Sequence, residues 1–198
     1  DVFNLLCNLH HFNADSLIAL ASSHKFFTPV SFNTLIKAKT NLKPVYSESN
    51  NIVAITTGTD QKLKDEYVIV GAHFDHLGMG GEGSGSRKPD SIAVHNGADD
   101  NASGVAGVLE LMRQVENSKQ KPKRSIIWVA FTGEEMGLLG SKEFVKNPPV
   151  ELSKIKAMIN LDMIGRMNDT TPRLSISGTG TGHVFQSILD SLSKLEPF

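Results

Sequence analysis

The stretch Ser125-Ile126-Ile127-Trp128-Val129-Ala130-Phe131-Thr132-Gly133-Glu134-Glu135 is an apolar, β-branched and aromatic run that stops at two adjacent carboxylates. A short continuous apolar run of this kind fits a strand buried on both faces. The pattern recurs. Tyr67-Val68-Ile69-Val70-Gly71-Ala72 runs into His73-Phe74-Asp75, and Ala157-Met158-Ile159-Asn160-Leu161 runs into Asp162. A further acidic pair, Asp99-Asp100, stands just before a helical pattern. In open α/β sheets the carboxyl ends of the strands line the ligand crevice. The strand ends therefore point to one rim bearing metal-capable side chains, and to a metal-dependent hydrolase.

Working outward, the rhythm after residue 50 is α/β. Asn51-Ile52-Val53-Ala54-Ile55 reads as a first strand, followed by a turn at Gly58-Thr59-Asp60 and a strand over 66–72. A Gly- and Ser-rich loop, 77–98, precedes a helix over 102–115, with Val105, Val108, Leu109, Met112 and Val115 at helical spacing. Strand 124–132, helix 136–146, strand 156–162, strand 173–177 and a last helix over 182–195 complete the order. Strands alternating with helices predict an α/β fold, a mostly parallel sheet with helices on both faces. Residues 1–50 read as a separate accessory segment. A short helix is expected over 14–21, and short edge strands or a docking segment over 28–50, around Val30-Ser31-Phe32.

Bulk properties narrow the function. The 198 residues suit one domain with a small appendage. Net charge is −1 with both signs interleaved, which offers no footprint for nucleic acid or a membrane surface. No apolar run approaches the ~20 residues of a membrane span. One cysteine, Cys7, excludes an internal disulfide framework and a cysteine-based zinc site. The start at Asp1 and the end at Phe198 read as those of an excised piece.

Each cluster has a metal reading and a plainer one. His73 and Asp75 share a face if the strand continues through them, with the histidine a ligand and the carboxylate orienting it. The plainer reading is a hydrogen-bonded histidine at a strand end. On the same assumption His76 falls on the opposite face and is left out. Asp99 and Asp100 read as a helix cap or as carboxylates supplied to two cations. Glu134 and Glu135 repel each other unless a cation intervenes; a solvated acidic helix start is the alternative. Asp162 is either a ligand or the ion-pair partner of Arg166. Gly178-Thr179-Gly180-Thr181-Gly182 lacks the spacing of a dinucleotide-binding turn, and no nucleophile elbow is present.

Taken in order, Gly71-Ala72-His73-Phe74-Asp75-His76-Leu77-Gly78, Asn96-Gly97-Ala98-Asp99-Asp100-Asn101-Ala102-Ser103-Gly104, Phe131-Thr132-Gly133-Glu134-Glu135-Met136-Gly137 and Asn160-Leu161-Asp162-Met163-Ile164-Gly165-Arg166 resemble the dizinc aminopeptidases of the aminopeptidase S and aminopeptidase Y type. The resemblance covers roughly residues 51–190 and implies a three-layer α/β/α catalytic domain over 51–198. It implies two Zn2+ ions, with His73 and Asp162 on one, Glu135 on the other, and Asp100 bridging them through a cis Asp100–Asn101 peptide. It implies Glu134 as the general base acting on a metal-bridging water, and Asp75 orienting the site behind His73. It implies a peptide substrate with a free N-terminus and an exported, periplasmic or extracellular, setting. Residues 1–50 resemble the end of a protease-associated insert. The family's fifth ligand, a histidine well after the Asp162 motif, would lie past Phe198; His183 opens a helix and is not assigned to it. A catalytically incomplete binding module, a zinc carboxypeptidase and a glutaminyl cyclase on the same scaffold are the alternatives.

Overall fold

The computed structural model describes residues 2–23, 29, 34–167, 170 and 174–195. The chain divides into two compact units, Asp1–Tyr46 and Ser47–Phe198. In the first, α1 (Val2–Leu9) and α2 (Ala14–Ser22) bury Cys7 and Ala14. Asn13 caps α2 by accepting a hydrogen bond from the Ser16 amide at 2.8 Å. The helix expected at 14–21 is α2; α1 was not anticipated. Residues 34–50 form no regular element, and Val30-Ser31-Phe32 lies outside the described residues.

The second unit is built on a sheet of order β1-β3-β2-β4. Its strands are β1 (Ile52–Thr56), β2 (Tyr67–His73), β3 (Ser125–Phe131) and β4 (Ile155–Asn160). β2 runs parallel to both β3 and β4, and β1 is antiparallel to β3. The two central strands are the two longest apolar runs, as expected for strands covered on both faces. On one face, Ile69, Ile127, Val129 and Phe131 pack with Phe144 of α4 (Leu139–Lys146). On the other, Val70, Ala72 and Trp128 pack with Val108 of α3 (Gly104–Asn117). Alternate residues of β3 thus feed opposite cores, and the result is the three-layer α/β/α arrangement. Trp128, the single tryptophan, is buried and donates its indole N–H to the Thr56 hydroxyl at 2.9 Å, which ties β3 to β1.

Element ends depart from expectation for identifiable reasons. α4 starts at Leu139 instead of 136 because Gly137 (φ 98°) and Leu138 (φ 62°) are left-handed and cannot lie within a right-handed helix. The last helix, α5, runs Phe185–Leu195 and starts after a short 3₁₀ turn at Thr179–Thr181. α3 starts at Gly104 because Asp100 (φ −106°, ψ 90°) and Asn101 (φ −137°, ψ 38°) leave helical values in the wide turn Ala98–Ser103. Of the strand expected at 173–177, residue 173 lies outside the described residues, and 174–177 pair with no strand. Among the described residues, no helix is long and apolar enough to cross a membrane.

Phe131 and Phe144 meet edge to face with ring centroids 5.7 Å apart, so α4 is held on the sheet largely through one ring. Phe144→Ala is expected to lower the unfolding free energy by about 3–5 kcal/mol, read as a lower urea midpoint at unchanged slope.

Candidate metal centre

The strand register delivers the site. His73 is level with Phe131, and Gly71 with Asn160, so the carboxyl ends of β2, β3 and β4 lie side by side. Past these ends come Asp75 and His76, then Glu134 and Glu135, then Asp162. The turn before α3 brings Asp100 to them across the rim.

His73 is buried, and its Nδ1 lies 3.1 Å from the backbone oxygen of Asp75. A carbonyl oxygen only accepts, so Nδ1 carries the proton. Nε2 then faces Asp100 Oδ1 at 3.2 Å and Asp162 Oδ1 at 3.7 Å. Asp162 therefore turns to the histidine, and the ion pair with Arg166 that the sequence left open is not formed. The other oxygen of Asp100, Oδ2, lies 3.9 Å from His76 Nδ1, which in turn bonds Glu135 Oε1 at 2.7 Å. Two three-residue groups, His73–Asp100–Asp162 and His76–Asp100–Glu135, thus share Asp100 through its two oxygens. The peptide between Asp100 and Asn101 is cis, as the resemblance implied.

Asp75 holds the acidic turn after β3. Its Oδ1 accepts from the Glu134 amide at 3.0 Å and its Oδ2 from the Glu135 amide at 3.2 Å. Its carboxylate lies 3.8 Å from His73 Nδ1, so its backbone carbonyl is what fixes that ring. Gly133 (φ 63°) makes the left-handed step out of β3, and the turn closes with Leu139 N–H donating to the Gly133 carbonyl at 2.9 Å. Among the described residues the Glu134 carboxylate has no hydrogen-bond partner. Desolvation holds that carboxyl above its usual range; Glu135, Asp162 and Asp75 push the same way, and His73 opposes them.

Residues 51–195 match the family described as Peptidase family M28. The chain belongs to this family. A probable zinc metalloprotease of Pyrenophora teres f. teres is 36% identical over 142 residues, 69% of this chain and 27% of that protein. A probable leucine aminopeptidase of Arthroderma otae is 34% identical over 126 residues, 62% of this chain and 31% of that protein. The crystal structure of a peptidase M28 precursor from Shewanella amazonensis aligns with a TM-score of 0.44 at 33% identity, over 57% of this chain and 22% of that one. The chain spans under a third of the length of each of these relatives.

For an M28 chain the question is whether this donor set fits zinc. Ligands at 2.0–2.1 Å around a tetrahedral zinc stand ~3.3 Å apart. The His73 contacts of 3.2 and 3.7 Å bracket that spacing. The oxygen and imidazole nitrogen donors suit zinc. Among the described residues no lysine or arginine pairs with Asp75, Asp100, Glu134, Glu135 or Asp162. Five carboxylates gathered at one rim without a lysine or arginine partner among the described residues repel one another, which favours a bound cation there. Around His76 the 2.7 Å contact is a hydrogen-bond length, so that imidazole orients Glu135 as well as standing beside it.

Sequence reasoning missed His76. Strand alternation was extended through residue 76, but β2 ends at His73 and the two-residue period ends with it. The signal available was a second histidine three residues past the first, directly beyond a strand end. Asp99, paired with Asp100 in the sequence, does not reach the cluster. Its Oδ1 accepts from the Gly165 amide at 2.9 Å.

Asp75→Ala strands two turn amides, at a cost of about 1–3 kcal/mol for each left without a partner. A lower urea midpoint is expected for the metal-free protein, with partial recovery in Asp75→Asn, which keeps one acceptor oxygen.

Proposed function

We propose that this chain is the catalytic part of a zinc-dependent aminopeptidase that removes N-terminal residues from peptides. The observation that carries the reading is the shared carboxylate: Asp100 turns one oxygen to each of two histidine-containing groups, with Glu134, whose carboxylate has no hydrogen-bond partner among the described residues, near them. His73, Asp100 and Asp162 would hold one zinc. Asp100 and Glu135, with His76 at its side, would hold the second. Bound zinc supplies Lewis acidity, which makes water acidic near neutral pH and polarises the scissile carbonyl.

The chain's own residues do the rest. Glu134 takes the proton of the attacking water and returns it to the leaving amine. The hydrogen bonds from the Glu134 and Glu135 amides to Asp75 hold the backbone that carries that base at the rim. The resemblance, and the probable leucine aminopeptidase among the relatives, rank an aminopeptidase above a carboxypeptidase. The boundary between the compact units, at Tyr46/Ser47, and the start of the family match at residue 51 support reading residues 1–50 as accessory and 51–198 as catalytic. An exported setting belongs to the same proposal and rests on the resemblance.

Glu134→Gln is expected to abolish turnover of a leucyl anilide while zinc content stays near that of the parent, because a base and not a ligand is lost. Equal loss of zinc would contradict the division of roles. The parent chain is expected to cleave leucyl anilide and to leave its N-acetylated form intact. Cleavage of both, or ammonia release from an N-terminal glutamine with its peptide bond left intact, would point to one of the other chemistries.

A further inference from the structure

The carboxylates of Asp100 and Asp162 come from segments about sixty residues apart, yet both face one histidine nitrogen. Four hydrogen bonds lock the two segments together. Asn101 Nδ2 donates to the Leu161 carbonyl at 2.9 Å, and Asn101 Oδ1 accepts from the Met163 amide at 3.2 Å. Ser103 Oγ accepts from the Ile164 amide at 3.1 Å, and Asp99 Oδ1 from the Gly165 amide at 2.9 Å. The peptides on both sides of Asp162 are therefore held by side chains that flank Asp100. Asn101 is 2% exposed, and its Oδ1 also accepts from the Gly104 amide at 3.1 Å, closing its ring of partners within the protein.

The backbone is shaped for this contact. Met163 sits at φ 53°, a left-handed conformation that a side chain seldom adopts, and its amide is the one that Asn101 receives. A Cβ at Gly104 would collide with the Leu161 carbonyl and with Asn101 Oδ1. One at Gly165 would come within 2.8 Å of Ser103 Cβ. Glycine at these two places lets the segments meet directly.

We infer that Asn101, with Asp99 and Ser103, is a positioning group that fixes the spacing of Asp100 and Asp162 and thereby the zinc affinity of the His73 site. The inference rests on the zinc reading above. None of the three side chains is placed among the ligands; they act through the backbone on either side of Asp162. Side chains that orient metal ligands in this way typically contribute 10–100-fold to affinity.

The test is zinc binding by the metal-free chain, in competition with a chromogenic chelator, alongside the visible absorption spectrum of the cobalt-substituted protein as a gauge of ligand geometry. Asn101→Ala and Asp99→Ala are expected to weaken zinc 10–100-fold and to shift the cobalt bands. Asp99→Asn keeps the oxygen that Gly165 bonds and is expected to restore parent behaviour although its charge is gone, which separates positioning from electrostatics. Thermal melts of the metal-free variants establish that each is folded where binding is read. Parent affinity and spectrum in a folded Asn101→Ala would overturn the inference; should that variant not fold, the same result in Asp99→Ala overturns it. An Asp99→Asn variant as weak as Asp99→Ala also counts against it. If the parent chain takes up no zinc, the zinc reading itself fails.

Discussion

The parallel register of β2 against β3 and β4 is the constraint on which everything at the rim depends. Because His73 is level with Phe131, and Gly71 with Asn160, the three strands end within two residues of one another in register. A shift of one residue in either pairing would turn alternate side chains to the opposite face and break up both cores along with the site. The two cores enforce the register. Ile127 and Val129 pack with Phe144 of α4 and Trp128 with Val108 of α3, so a slip would exchange side chains of different size between two close-packed cores.

Set against that order is the repulsion among Asp75, Asp100, Glu134, Glu135 and Asp162. The fold offsets it with backbone dipoles and imidazoles. Asp75 accepts two amides, Asp99 a third just outside the cluster, and His73 and His76 stand between the remaining carboxylates. The offset is partial: Glu134, whose carboxylate has no hydrogen-bond partner among the described residues, has its carboxyl held above the usual range, chiefly by burial. Acidity that would otherwise weaken the fold is thereby concentrated at the one rim where the candidate metal-holding groups meet.

Much of this was legible in the sequence. The apolar runs of β2 and β3 are long and bounded by punctuating residues, and their carboxyl ends bear the acidic and histidine side chains. The alternating period gives the layers. His76 was not legible, because alternation says nothing about a residue past the last strand position. The distinct tasks of Asp99 and Asp100 were not legible either. Neighbours in sequence diverge here because the turn Ala98–Ser103 leaves helical geometry at Asp100 and Asn101, which no local pattern announces. α1 escaped notice because it is eight residues long, too short for a helical period to be told from another apolar run.

Trp128 lies at the junction of β3, β1 and α3, with its indole N–H on the Thr56 hydroxyl. It is the only tryptophan in 198 residues. Its ultraviolet emission therefore comes from one place, the interior layer between the sheet and α3. Blue-shifted light reports that layer closed, and a move to longer wavelength reports water reaching it. The chain thus contains an optical gauge of its own packing that needs neither a label nor a substrate.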